Sequence, residues 1–362
     1  MPATSPSSLP DLYLPTGPLP LLAALASALA VGHPAEIVYL EDASPLPASV
    51  ATRIQRDFPG IVLKRWRDSA AIEEFATLPH WCPAILRRNL AFLPGGRPIR
   101  PRDCPGAWMG AGYRNAYVYL TGNFIAKTLR TRCRTIILRE EGLGSYHGLP
   151  HGWAKAILRA LAGLSPRHQV MGEEHWVDRI EIARPEALPP ALRSKASALS
   201  LSDLMQALPG GMARQLAALF WTGPLPSVTG QQALLLTQPI DLAGLGDTHG
   251  KQQIYAAITA ELEASGYHVL IKPHPREAAV AGPHVLPSFF PIEAWSWLGT
   301  RPFDLAVALC SSALEHQTAG FSRCNLQLVA PDRFRKGDFE GWRNRLGAAL
   351  TRKDAPPSGQ MS

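Results

Sequence analysis

Residues 135–148 read TIILREEGLGSYHG. The run Thr135-Ile136-Ile137-Leu138 predicts a buried strand. It ends at Glu140-Glu141-Gly142. In open α/β sheets ligands bind outside the carboxyl ends of the strands, which is where these two acids would stand. A carboxylate there can take a proton from a hydroxyl, and adjacent acids tend to raise one another's pKa. A glycine beside them allows close approach of a ligand. The plain structural reading is a solvated acidic turn.

Working outward, strand and helix patterns alternate. DLYLPTG (11–17) predicts a strand and turn, 18–31 a helix, EIVYLE (36–41) a strand, 47–57 a helix and IVLKRW (61–66) a strand. Residues 69–92 predict an interrupted helix, and 93–106 a basic Pro/Gly loop. NAYVYLTGN (115–123) predicts a strand entering a turn, followed by a helix near 124–131. Residues 183–232 carry many prolines and glycines around helical pieces. Alternation then restarts with ALLLTQPI (233–240), a helix over 250–265, YHVLIKPHP (267–275), a short strand near 284–287, and a strand, turn and helix over 303–320. The pattern predicts an α/β chain of two domains. The expected division is a disordered N-terminus at 1–10, a first Rossmann-like domain at 11–228, a second at 229–352 and a flexible tail at 353–362, with the two domains facing a central cleft.

The totals narrow the function. The chain has 362 residues, 46% of them hydrophobic, and a net charge of +7. The charge favours acidic partners: nucleic acid, an anionic membrane face or an anionic substrate. There is no zinc finger and no aromatic-rich RNA-binding signature, so nucleic acid is not the expected partner. Five cysteines, at 82, 104, 133, 310 and 324, form no C-x-x-C pair and fit a reducing compartment. The apolar run at 19–31 is too short to span a bilayer. It ends in Ala-Leu-Ala like a signal-peptide cleavage site, but the first Lys or Arg is Arg53, so a buried helix is expected.

Three further motifs stand at strand exits or nearby. LIKPHPRE (270–277) frames His274 between Pro273 and Pro275, beside Lys272 and Arg276. The prolines fix the local backbone, and such a histidine suits a phosphate oxygen. AVALCSSALEHQTAG (306–320) places Ser311-Ser312 at a strand-to-helix turn, either as a cap or as an anion site. FFPIEAW (289–295) supplies Glu293, suited to ribose hydroxyls or simply to the start of a helix.

Taken in order, Glu140-Glu141-Gly142, His274-Pro275 and Ser311-Ser312, with Pro291-x-Glu293 as a weaker match, resemble the bacterial sialyltransferases and polysialyltransferases. Those families share a D/E-D/E-G motif, an HP motif and a later serine-rich motif on a two-domain GT-B fold. The resemblance implies an inverting transfer of sialic acid, or a related nonulosonic acid, from a CMP-sugar to a hydroxyl of an anionic surface glycan of capsule or lipooligosaccharide. It implies Glu140 as the leading base with Glu141 as the substitute. Lys272, His274, Pro275, Ser311 and Ser312 would surround the CMP phosphate, Glu293 would hold the ribose, and Gly142 would admit the ligand. Both acids are glutamate here, which leaves the choice between them open. With no Asp-x-Asp motif at a strand exit, neither a metal nor another cofactor is expected. The K-P-H-P form is also similar to capsule transferases that use CMP-Kdo, one alternative. A non-catalytic nucleotide- or polyanion-binding protein is another. Basic clusters at Arg87-Arg88, Arg97/Arg100/Arg102, Lys127/Arg130/Arg132/Arg134 and Arg333/Arg335/Lys336 read singly as solvated basic surface, and together as a surface for a polyanionic glycan or the anionic inner leaflet. The expected location is cytoplasmic, with peripheral contact at the inner face of the cytoplasmic membrane.

Overall fold

A computed structural model describes residues 9–75, 81–83, 112–129, 132–142, 145–146, 149–150, 152–161, 164–226, 229–277, 284–315 and 320–353. The chain is mixed α/β and Rossmann-like, with parallel sheets, and divides into two compact units, Met1–Leu219 and Phe220–Ser362. The expected loop at 93–106 and most of the tail at 353–362 lie outside the described residues, as do 1–8 of the expected N-terminal segment.

The first unit is built on seven strands: β1 (Asp11–Leu14), β2 (Ala35–Leu40), β3 (Ile61–Trp66), β4 (Tyr113–Val118), β5 (Cys133–Arg139), β8 (Arg179–Ile182) and β9 (Ala196–Ala198). Between β5 and β8 a small antiparallel pair, β6 (Leu149–Pro150) and β7 (His168–Gln169), stands apart. The main sheet runs β3-β2-β1-β4-β5-β8-β9, parallel throughout. β1 and β2 are buried at every position, whereas the edge strand β3 is buried only at Ile61 and leaves Val62 exposed. Chain order reverses direction between β1 and β4. That is a topological switch point, where the connecting loops diverge and leave a crevice.

The apolar run at 19–31 forms the helix Pro18–Val31. Pro18 enters its first turn, and Gly32, at φ 67°, ends it with an N–H bond to the Ala28 carbonyl. It packs against the helices Leu201–Gln206 and Met212–Leu219. Its side chains therefore have protein on most sides, which suits a helix apolar all round. Among the described residues no helix is long and apolar enough to cross a membrane.

The second unit carries β10 (Gln231–Leu236), β11 (Tyr267–Lys272), β12 (Leu305–Ala308) and β13 (Asn325–Gln327) in the parallel order β11-β10-β12-β13. The helix Thr248–Ala264 joins β10 to β11. Its N-cap Asp247 accepts from the Gly250 N–H at 2.6 Å, satisfying an otherwise orphaned donor. The strand expected near 284–287 is a single bridge of Val285 to Ile271. Phe220 stacks on Phe289, and Trp221 sets its edge to Phe290 and Trp295. These aromatic contacts draw residues 220 and 221 into the second unit.

Candidate active site

In the first unit β5 is buried from Ile136 to Arg139 and delivers the two glutamates at its carboxyl end. Successive side chains of an extended segment point to opposite sides. The two glutamates take different partners. The Glu140 Oε2 accepts from the Tyr146 hydroxyl at 2.6 Å and from the Ala183 N–H at 3.0 Å, just past β8. The Glu141 Oε1 accepts from the Thr16 hydroxyl at 2.8 Å, just past β1. Glu140 thus turns away from the switch point and Glu141 toward it. The turn after them is closed by the Ser145 hydroxyl, which accepts from the Glu141 N–H at 3.1 Å, and by the Gly142 carbonyl, which accepts from the Ser145 N–H at 2.9 Å.

Tyr146 is buried, and burial together with the Glu140 carboxylate pushes its phenol well above the usual range. The phenol stays protonated and donates to Glu140. The Arg184 guanidinium lies 5.0 Å over its ring and the Arg184 N–H donates to its oxygen at 3.2 Å. Beneath this layer Arg139 is buried, paired to Glu181 at 2.8 Å, with its guanidinium 4.1 Å from the centre of the Tyr117 ring. Tyr117 stacks in turn on Tyr13 at 4.6 Å. The end of β5 is therefore held from both sides. Tyr146, Thr16 and Arg139 were missed as supports; only Arg139, a charge closing an apolar strand, left a signal.

Other acids at this edge serve as caps. Asp42 accepts from the Asp68 and Ser69 N–H groups, and Asp68 accepts from those of Phe124 and Ile125. These bonds satisfy the first donors of two helices.

In the second unit the carboxyl ends of β10, β11 and β12 carry Thr237, His274 and Ser311. Lys272 is buried, and its ammonium donates to the Pro273 carbonyl at 2.6 Å and the Ser288 carbonyl at 2.9 Å. Burial lowers its pKa to about 8, against the opposing pull of the Glu293 and Glu277 carboxylates. Lys272 thus staples the loop after β11. His274 is half-buried. Its Nδ1 accepts from the Arg276 N–H at 3.2 Å, which assigns the neutral ring's proton to Nε2. Burial, reinforced by Arg276 and Lys272, lowers its pKa to about 4. At neutral pH His274 is an uncharged donor, with Pro275 next to it in the same turn.

Sequence reasoning missed Glu277, which accepts from the His274 N–H at 2.7 Å, from the Lys251 ammonium at 2.6 Å and from the Thr237 hydroxyl. The Ser311 N–H donates to the Gln327 Oε1 at 3.0 Å, and Ser312 opens the helix Ser312–Glu315. Glu293 lies in the first turn of the 3-10 helix Ile292–Leu298, within electrostatic reach of Lys272. The structure brings Lys272, His274 and Glu277 together. Ser311 and Ser312 share their sheet edge, with no side-chain hydrogen bond to His274 among the described residues.

Of the basic clusters, Arg87, Arg88, Arg97, Arg100, Arg102 and Arg130 lie outside the described residues. Arg333 is paired with Asp338 at 2.7 Å and Arg335 with Asp332 at 3.4 Å, so their charge is partly neutralised.

A family model described as alpha-2,8-polysialyltransferase (POLYST) matches residues 123–316. The matched span takes in Glu140-Glu141-Gly142, the Lys272–Pro275 turn, Glu293 and Ser311-Ser312. No curated protein matches the chain.

Proposed function

The chain belongs to the alpha-2,8-polysialyltransferase family, and from that premise we propose that it transfers sialic acid from a CMP-activated donor to a hydroxyl of an anionic surface glycan, of capsule or lipooligosaccharide, with inversion. Membership makes it a glycosyltransferase. The donor, the stereochemistry and a GT-B arrangement of the two units are part of the proposal. So is a peripheral position at the inner face of the cytoplasmic membrane, supported by the net charge of +7.

The observation that carries the reading is the direction of Glu141, which is hydrogen-bonded to Thr16 at the switch point of the first sheet. The acceptor must lose a proton as the bond to the anomeric carbon forms, and a carboxylate in that crevice takes it. The resemblance points first to Glu140, but Glu140 is engaged by Tyr146 and Ala183 on the far side. We therefore assign the base to Glu141 and an orienting role to Glu140. On the donor side the bond from the anomeric carbon to the CMP phosphate breaks and charge gathers on the phosphate oxygens. A preorganised Nε2–H of His274, with the hydroxyls of Ser311 and Ser312, would stabilise that charge without reorganisation. Glu293 is assigned to the ribose, and Lys272 to the shape of the loop.

The test is CMP release from CMP-sialic acid with and without an oligosialic acceptor. Acceptor-dependent release supports transfer. Release from CMP-Kdo alone moves the donor to that sugar, a reading favoured by the Lys272-Pro273-His274-Pro275 form. Binding of CMP with no release from either donor leaves the non-catalytic alternative.

A further inference from the structure

We infer that Glu277 is a positioning residue for His274, a role that rests on the transferase reading above. The turn Pro273-His274-Pro275 has one backbone donor, since proline has none. The prolines fix their own φ, and Pro275 restricts His274 to extended conformations. Neither sets ψ of Pro273 or the exact φ of His274, the two angles that aim the His274 N–H and swing its ring. Glu277 does. Its Oε2 accepts that N–H at 2.7 Å, while its own N–H returns to the His274 carbonyl at 2.9 Å.

The clamp is anchored far away in sequence. Thr237, at the exit of β10, donates its hydroxyl to Glu277. Lys251, on the helix Thr248–Ala264, donates to Glu277 Oε1 at 2.6 Å and to Asp241 at 2.9 Å. The Glu277 side chain is only 7% exposed. Charge-assisted bonds of this kind are short and directional. The charged and titratable groups acting on the imidazole are Arg276, Lys272, Glu277 and Lys251. With the turn clamped, Nδ1 meets the Arg276 N–H, which leaves the ring proton on Nε2.

The clamp predicts a signature that a general loss of stability would not produce. The variants are Glu277→Gln, Thr237→Val and His274→Ala in the full chain. The readouts are the ¹⁵N spectrum of the His274 ring and CMP release. Wild-type His274 is expected as one Nε2–H population. In Glu277→Gln the amide cannot accept from all three donors, the turn loosens, and both tautomers appear. Turnover number falls about ten- to a hundredfold, the scale of an ångström of misplacement, with donor KM little changed. The Glu277→Gln, His274→Ala double variant is no slower than His274→Ala alone, because both remove one function. Thr237→Val, which loses one neutral donor, gives the same shift in smaller degree and carries the comparison if Glu277→Gln does not fold. An unchanged ring spectrum in both Glu277→Gln and Thr237→Val overturns the clamp, even if the wild type is an active transferase. A wild type that releases no CMP while Glu277→Gln redistributes the tautomers overturns the function and leaves the clamp standing.

Discussion

Thr16 donates its hydroxyl to Glu141 across 2.8 Å, although 125 positions separate them in the chain. The bond joins the exit of β1 to the exit of β5 and passes the end of β4. It sets the carboxylate at the point where the sheet order reverses. A hydrogen bond to a charged group contributes roughly 1.5–3 kcal/mol. Thr16→Val is expected to keep the fold and slow transfer, since the carboxylate loses its orientation. Kinetics with saturating donor check this; an unchanged rate would detach Thr16 from Glu141.

Tyr146→Phe removes the donor at 2.6 Å from Glu140 while the Ala183 N–H remains. The loss should appear mainly as stability, about 1.5–3 kcal/mol in denaturant unfolding. Transfer should fall less than in Thr16→Val. The reverse ranking would place Glu140 closer to the chemistry than Glu141.

His274 has a pKa lowered to about 4 by burial and by neighbouring cations. An exposed histidine titrates near 6.5. The folded value lies below the unfolded one, so the unfolded chain binds more protons between these limits. The stability contributed by neutral His274 is present above about pH 6.5 and is lost as pH falls toward 4. His274 should therefore keep its neutral ring signal through pH 6 to 8, as NMR titration can show. A midpoint near 6.5 would mean that the ring is solvated rather than enclosed.

Metal independence is the next expectation, and it follows from the absence of an Asp-x-Asp motif at a strand exit. Transfer should survive excess EDTA. Loss of activity restored by Mg²⁺ or Mn²⁺ would show that the side chains assigned to the phosphate are not sufficient.

What the sequence reveals follows from physics that is local to it. β1, β2, β5, β10 and β11 are legible because strands covered on both faces carry runs of mostly apolar residues. β8, as Arg-Ile-Glu-Ile, alternates, and β9 is three residues long, so neither stands out among the prolines around them. The acidic pair is visible at once, and alternation says that its members diverge. Which of them faces the switch point depends on Thr16 and Ala183, far away in sequence. The histidine between prolines is visible too. Glu277, three residues later, looks like any loop glutamate until Thr237 and Lys251 converge on it. Lys272 looks like a phosphate ligand in the sequence, and its bonds to the Pro273 and Ser288 carbonyls, which staple the loop, are not legible there.

The assignment of Glu141 as base is tested most directly by acceptor-dependent CMP release from Glu141→Gln beside Glu140→Gln. Glutamine keeps the size and much of the hydrogen bonding of glutamate but cannot take the proton. A general base contributes typically a factor of about 10²–10⁴. Glu141→Gln should fall by that order with CMP affinity nearly unchanged, and Glu140→Gln should fall less while losing stability. If folded Glu141→Gln transfers sugar at the wild-type rate, the carboxylate at the switch point is not the base, and the account loses its central step.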